Sequence, residues 1–228
     1  MLNLYYGFDE REEIGSHVFC SSVIHRSSMP VALIPVHLRH FRSFYSAGHR
    51  DGTNAFILTR YLIPFLQNFS GWAVFCDGAD MICKGDIAEL YAYRDYRKAV
   101  QVVPHNYQTK HPRKYVGTKM EADNVMYPRK NWSSVMLINC SHGAWKDVTP
   151  EFVQDTPSQD LHQFKHIPDR HIGALPEEWN WLADEYGENR GAKILHWTAG
   201  IPAWPNYQNA PHAADWFDAA KMVTHAID

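Results

Sequence analysis

The sequence is poor in the features that decide a protein's class at a glance. No apolar run approaches the ~20 residues that span a bilayer, and with strand-like residues directly after Met1 no secretory signal is expected. The four cysteines (Cys20, Cys76, Cys83, Cys140) include no CxxC pair. Three of them fall in apolar runs, which suits reduced core thiols of a cytoplasmic protein better than a disulfide framework. A net charge of only −3 over 228 residues supplies no bulk pull towards nucleic acid or a membrane surface. N-x-S sequons at Asn68, Asn131 and Asn139 are read as accidental without a signal. No internal repeat, low-complexity tract or linker interrupts the chain, so one domain is expected over 1–228. Its oligomeric state is not legible.

Against these absences stand eight Trp and twelve Tyr, enough aromatic surface to argue for a packed core. The chain is organised around the stretch 71–83, where Trp72-Ala73-Val74-Phe75-Cys76 reads as a buried strand and ends in Asp77-Gly78-Ala79-Asp80. Two carboxylates at a buried strand end repel one another and need something positive. The small residues between them let a ligand approach the backbone. A hard divalent cation shared with phosphates would satisfy both acids; the bland alternative is a turn with two solvated aspartates.

Upstream, an apolar strand over 2–6, a helix over 10–28 and a strand over 31–36 predict a parallel β-α-β pair. Ile14 and Val18, and Phe19 and Val23, carry the helical spacing, and His37 follows the second strand as an exposed residue. Ligands of such sheets bind beyond the carboxyl ends of the strands, which puts Asp9 and Arg11 at a candidate ligand edge. Asp9 alone is equally accounted for as a helix cap. Residues 42–54, with Gly48 and Gly52, read as a loop. A helix is expected from Thr53-Asn54 to about 68, bent in its last turn by Pro64. Arg60, on a largely apolar helix, should pair with a carboxylate or a phosphate, and the structural ion pair is the simpler reading.

Downstream, Asp86-Ile87-Ala88-Glu89 has capping-box spacing, and strands are expected over 99–103 and 135–139. The basic segment 107–130 reads as a loop or irregular hairpin with a solvated face. Thr149-Pro150-Glu151 starts a helix. His162 and His166 stand one helical turn apart, but without a third ligand they read as a solvated helix face. A short strand over 193–195 runs into His196, placed either as a ligand or as a hydrogen-bonded strand end. A docked amphipathic helix is expected over 213–226.

Taken in order, these residues resemble a GT-A-fold glycosyltransferase, most like glycosyltransferase family 8. The resemblance is carried by Arg60, by Phe75 to Met81, by Ser133-Ser134-Val135-Met136-Leu137-Ile138-Asn139, by Leu175-Pro176 with Trp179-Asn180, and by His196 through Gly200 to Trp204. It covers nearly the whole chain. It implies an α/β fold: a Rossmann-like GT-A domain with a mixed, mostly parallel sheet flanked by helices. It further implies transfer of a sugar from a UDP-sugar to a carbohydrate or glycan acceptor, with retention of configuration and no part for nucleic acid. Mn²⁺, with Mg²⁺ as the alternative, would be held by Asp77, Asp80 and His196. Gly7, Phe8 and Asp9 would hold the base and ribose, with Gly78, Ala79, Ser134, Gly200 and Trp204 completing the donor site. Asp160 and Asn180 would face the sugar and acceptor, and Arg60 would join them in catalysis.

Two departures stand out. Strict Asp-x-Asp spacing would put Gly78 where Asp77 must serve, so either a one-residue bulge presents Asp77 or the metal keeps fewer ligands. Ala203 precedes Trp204 where the family has a lysine, leaving Arg60, Arg11 or the basic loop to neutralise the diphosphate. Two rivals remain: a nucleotidyltransferase, disfavoured by the glycine-poor turn after the first strand, and a non-catalytic sugar-nucleotide or carbohydrate-binding protein.

Overall fold

The computed structural model describes residues 1–43, 54 and 56–224. Its strands, in chain order, are β1 (Leu2–Gly7), β2 (Val31–Val36), β3 (Trp72–Cys76), β4 (Met81–Cys83), β5 (Val100–Val102), β6 (Arg113–Lys114), β7 (Ala122–Asp123), β8 (Val135–Asn139), β9 (Ile172–Ala174), β10 (Trp181–Leu182) and β11 (Ile194–His196). The central sheet has the order β2-β1-β3-β8-β5-β9. Every neighbouring pair is parallel except those of β8, which runs against both β3 and β5. This is the mixed, mostly parallel sheet that the family resemblance implies. Alternation along β3 sends Val74 and Cys76 to one face, with Phe19 of the helix Glu13–Arg26. Ala73 and Phe75 go to the other, with Tyr61.

A second sheet, β10-β11-β4, stands beside the first. Residues Asp77 to Asp80 are the whole connection between β3 of the large sheet and β4 of the small one. The antiparallel register of β4 and β11 sets His196 opposite Met81, and the Trp197 amide donates to the Asp80 carbonyl at 2.9 Å. Backbone pairing alone therefore brings the late histidine to the acidic turn.

Local signals hold at several points. Asp86 Oδ1 accepts from the Ala88 amide at 2.9 Å and Thr149 Oγ1 from the Phe152 amide at 3.3 Å, capping the helices Ile87–Ala92 and Pro150–Asp155. The basic segment is an irregular excursion tied by the two-residue pair β6–β7. The C-terminal helix is Ala213–Thr224; residues 225 and 226 lie outside the described residues, as does most of the loop expected over 42–54.

Other expectations are corrected. The helix expected to end near 68 is a 3₁₀ turn, Thr59–Leu62, followed by a single α turn, Ile63–Leu66; its expected start at Thr53 lies outside the described residues. Pro64, lacking an amide hydrogen, sits in the first turn of the α segment rather than bending the last, and left-handed Asn68 and Phe69 end it. His37 is buried: its Nδ1 accepts the Arg39 amide and its ring packs on Phe8. Ile14 faces outward, because the stripe that packs is Gly15, Val18, Phe19, Ser22 and Val23.

Gly15 is the closest approach between that helix and the acidic turn. A Cβ there would fall 1.8 Å from the Ala79 carbonyl oxygen, a backbone atom that has no rotamer to escape into. Gly15→Ala is expected to destabilise the protein by about 1–3 kcal/mol and to displace the turn. A urea unfolding midpoint equal to that of the unsubstituted protein would show that the helix is not seated in this way.

Candidate functional site

The acidic turn is shaped by Gly78, whose φ of 76° is open to glycine and strained for other residues. The Asp77 amide donates to the Ser134 carbonyl, Ala79 to Asp77 and Met81 to Gly78. This left-handed step absorbs the extra residue of the D-x-x-D spacing. One ligand atom from each of Asp77, Asp80 and His196 falls within a 4.8 Å cluster. Among the described residues no other trio of acidic, histidine or cysteine groups does so.

Each member is positioned by a named partner. Arg60 is only 5% exposed. Its Nη1 stands 2.6 Å from Asp77 Oδ1 and donates to the Ser133 carbonyl at 2.9 Å, while the guanidinium lies over the Phe56 and Phe75 rings. The contact with Asp77 is a charge pair rather than an aligned hydrogen bond, for Asp77 Oδ1 is buried with no directed donor. Burial pushes the Asp77 carboxyl up to about 6, with Arg60 pulling it down and Asp80 pushing it further up. Asp80 Oδ1 is likewise buried without a partner, and Oδ2 lies 3.3 Å from His196 Nε2.

His196 is held from behind. Its Nδ1 lies 3.0 Å from Asn180 Oδ1, and Asn180 Nδ2 donates to Ser134 Oγ at 2.8 Å and to the Asn131 carbonyl at 3.2 Å. With both Asn180 amide hydrogens spent, its oxygen must accept, so Nδ1 carries a proton and Nε2 turns to the acids. Burial alone would lower the pKa of His196, but the charges of Asp80 and Asp77 outweigh it and the net shift is upward. Asp80 Oδ1 without a partner, Asp77 Oδ1 with only a charge contact, and the aimed imidazole make a donor set that fits a divalent cation.

The trio opens into a cavity of about 420 Å³ that Arg60, Ser134, Lys114, Gln159 and His162 also line. A second cavity of about 310 Å³, lined by His105, Tyr107 and Arg129, shares Tyr127 and Lys130 with the first.

Several expected site residues lie elsewhere. Asn180 is fully buried behind His196 and does not open onto the cavity. Asp160, in the helix Ser158–His162, turns away to Lys165 at 2.6 Å, and its neighbour Gln159 lines the wall instead. Trp204 is stacked edge-on against Tyr115, and Gly200 passes so near the Tyr207 ring that a Cβ would fall 2.5 Å from it. At the exit of β1, Asp9 caps the turn Glu10–Glu12 and binds Arg11 at 2.6 Å. Gly7 lies under the Phe56 ring, and Ala79 offers its carbonyl to the Gly15 face.

The solvated face expected for His162 and His166 is overturned. Tyr61 Oη lies 2.8 Å from His162 Nδ1 at the cavity wall, and His166 packs among Trp145, Phe152 and Tyr61. Burial pushes both imidazoles down, to about 3 and about 4. Lys114 and Lys130 likewise turn inward from the basic segment rather than to solvent. Glu12, buried beside the acids and accepting from Asn54 Nδ2 at 2.8 Å, carried no sequence signal beyond a polar residue in an amphipathic helix start.

No family model matches this chain. Protein CDI of Arabidopsis thaliana is 33% identical over 227 residues, covering 94% of this chain and 84% of that protein. The chain belongs to the family of Protein CDI. Among solved structures, the WbbM bifunctional glycosyltransferase matches with a TM-score of 0.67 and 13% identity over 96% of this chain. The galactosyltransferase LgtC, in complex with donor and acceptor sugar analogs, gives 0.64 and 12% over 100% of this chain and 98% of its own. GlyE of Streptococcus pneumoniae gives 0.61 and 12% over 98% of this chain. This member of the CDI family spans 49% of WbbM and 63% of GlyE. At such identities the likeness is one of fold, and that fold is GT-A-like. No helix among the described residues is long and apolar enough to cross a membrane, and the four cysteines are free.

In metal-free protein the raised Asp77 pKa has a stability consequence. A carboxyl whose folded pKa lies above its unfolded value favours the fold while protonated and loses that contribution as pH rises from about 4 through about 6. Asp77→Asn removes the titration. Its stability relative to the unsubstituted protein is expected to improve across that window in chemical unfolding with EDTA present; a difference independent of pH would refute the assignment.

Proposed function

We propose that this chain, as one domain over 1–228, is a metal-dependent glycosyltransferase. It moves a sugar from a nucleotide-sugar donor, a UDP-sugar, to an acceptor hydroxyl with retention of configuration. The observation that carries the reading is the trio of half-buried Asp77 with buried Asp80 and His196, in which Asp80 Oδ1 has no partner and Asp77 Oδ1 meets only the Arg60 charge, at the wall of a cavity of about 420 Å³. That volume lies in the range of small-molecule and cofactor sites. The GT-A-like fold and the order of motifs resembling family 8 support it.

In this reading the three side chains hold Mn²⁺, or Mg²⁺; mixed oxygen and imidazole ligands favour manganese over calcium. When bound, the cation would act as a Lewis acid on the diphosphate, whose leaving ability depends on neutralising its developing charge. Asn180 keeps Nε2 of His196 aimed at the cation, so it is a positioning residue rather than a contact to sugar. Arg60 holds Asp77 in place and adds positive charge to the wall. Gly7, Phe8, Asp9 and Arg11 do not line this cavity, and the base and ribose would have to extend from it towards them at the exit of β1, where ligands of parallel sheets collect. The backbone of Gly78 and Ala79 and the Ser134 region flank the donor, and the loop of Gly200 and Trp204 closes the site from outside.

Retention by a front-face route needs no dedicated nucleophile: an oxygen of the departing phosphate takes the acceptor's proton. Gln159, in place of Asp160, is the polar group that faces the electron-poor centre, its side-chain carbonyl able to steady positive charge. The adjoining cavity of about 310 Å³, with Tyr107 and Tyr127 in its walls, is where the acceptor saccharide would stack.

The test is titration with UDP, with and without Mn²⁺, together with incubation of a UDP-sugar panel and chromatography of the products. Asp80→Ala and His196→Ala are each expected to abolish Mn²⁺-dependent UDP binding while leaving far-UV circular dichroism unchanged. Equal UDP affinity in both variants and in EDTA would remove the metal from the reading. A donor that binds and remains intact after prolonged incubation would make the protein a binder, and pyrophosphate release would make it a nucleotidyltransferase.

A further inference from the structure

The cations around the cavity differ in what already holds them. Arg60 is engaged by Asp77 and the Ser133 carbonyl. Lys130 donates to Asn124 and, at 2.9 Å, to the Val125 carbonyl, and Arg11 is bound to Asp9. Lys114 is the exception. It lines the cavity within electrostatic reach of Asp80, Glu12 and Asp77, yet among the described residues no carboxylate comes within ion-pair distance of it. Its ammonium lies over the ring of its neighbour Tyr115, 5.1 Å from the centroid.

The backbone around Lys114 is built to hold it there. Tyr115 follows with φ 58°, a conformation that costs a bulky residue energy and persists only where its surroundings enforce it. The Tyr115 amide donates to the Ala199 carbonyl at 2.7 Å and its ring meets Trp204 edge-on. The Val116 amide donates to Tyr207 Oη at 2.8 Å, and Asn206 Nδ2 to the Val116 carbonyl at 2.9 Å. Four contacts thus dock the turn after β6 onto the loop that follows His196. A half-buried lysine fixed so firmly, with no anion to meet, is placed for an anion that arrives from outside.

We propose that Lys114 is a phosphate clamp: it binds a non-bridging oxygen of the donor's diphosphate. The assignment rests on the nucleotide-sugar reading above. It gives Trp204 a different role from the one its motif implies, that of a prop for Tyr115 and through it for Lys114. It also supplies from the hairpin the cation that Ala203 does not provide.

The experiment measures UDP affinity by calorimetry in Mn²⁺, uridine affinity by ligand-observed NMR, and Mn²⁺ affinity alone, for the unsubstituted protein, Lys114→Gln and Lys114→Arg. Loss of one charge-assisted phosphate contact should weaken UDP binding in Lys114→Gln by roughly ten- to a hundredfold. Uridine binding should not change, Mn²⁺ alone should bind as tightly or more tightly, and Lys114→Arg should stay within about threefold of the unsubstituted protein. Unchanged UDP affinity in Lys114→Gln would overturn the clamp and leave the wider reading standing. So would an equal loss of uridine affinity, because the contact would then not be to phosphate. If the unsubstituted protein fails to bind UDP in Mn²⁺, the nucleotide reading itself fails first.

Discussion

The structure turns on the burial of Asp77 and Asp80 in a four-residue turn between two sheets. Removing two carboxylates from water costs several kcal/mol each unless charge and hydrogen bonds replace the lost hydration. Arg60 answers Asp77, and His196 answers one oxygen of Asp80. One oxygen of each acid still lacks a directed donor. Arg60 can itself be buried because two aromatic faces and the Ser133 carbonyl receive it. His196 is fixed through Asn180, whose own orientation is set by Ser134 and Asn131. A folded chain that meets one acidic oxygen by a charge contact alone and leaves another, Asp80 Oδ1, without a partner is incomplete as an electrostatic object, and a cation is the simplest completion.

The sheets make this arrangement unavoidable. β3 must end where β4 begins, and the antiparallel register of β4 with β11 delivers His196 to the same place. β8 runs antiparallel beside β3, so its entrance, Ser133 and Ser134, lies next to the exit of β3. Left-handed Asn131, a residue type that tolerates that conformation, presents its carbonyl to Ser134 and Asn180. Gly78 and Gly15 do the complementary work by omission: one turns the acidic loop, the other lets a helix lie against it.

What could be read in the sequence was what depends on local periodicity and on residues close together in the chain. The strand bounds 31–36 and 135–139 and the capping by Asp86 and Thr149 were legible because apolar runs and cap chemistry act within a few residues, whereas the mixed sheet came only with the family resemblance. The helix around Arg60 was not. Its hydrophobic spacing suits a long helix, but Pro64 and the packing of Phe56, Tyr61 and Arg60 onto β3 and β8 override that spacing. Asp77, Asp80 and His196 were visible as strand-end residues. The inward turns of His162 and Lys114 were not, since burial of a polar side chain depends on a wall built from distant segments. Asp160 and Gln159 differ by one position on a short helix, and only packing decides which of them faces the cavity.

The two departures from the resembled pattern then have a common electrostatic logic. Burial, with the charges of Asp80 and Asp9 beside it, holds the Glu12 carboxyl well above its usual range, so it adds less negative charge to the site than a free carboxylate. Of the two aspartates, Arg60 is set against Asp77 and leaves Asp80 to be balanced by another group. A divalent cation would turn the remaining excess negative charge into a single excess positive one, which falls short of what a nucleoside diphosphate brings. Arg60 cannot make up the shortfall, because it is already committed to Asp77. The D-x-x-D turn, by placing Asp77 against Arg60, therefore creates the need for one more cation in the wall. Lys114 reaches that wall from the hairpin and is docked on the very loop in which Ala203 stands.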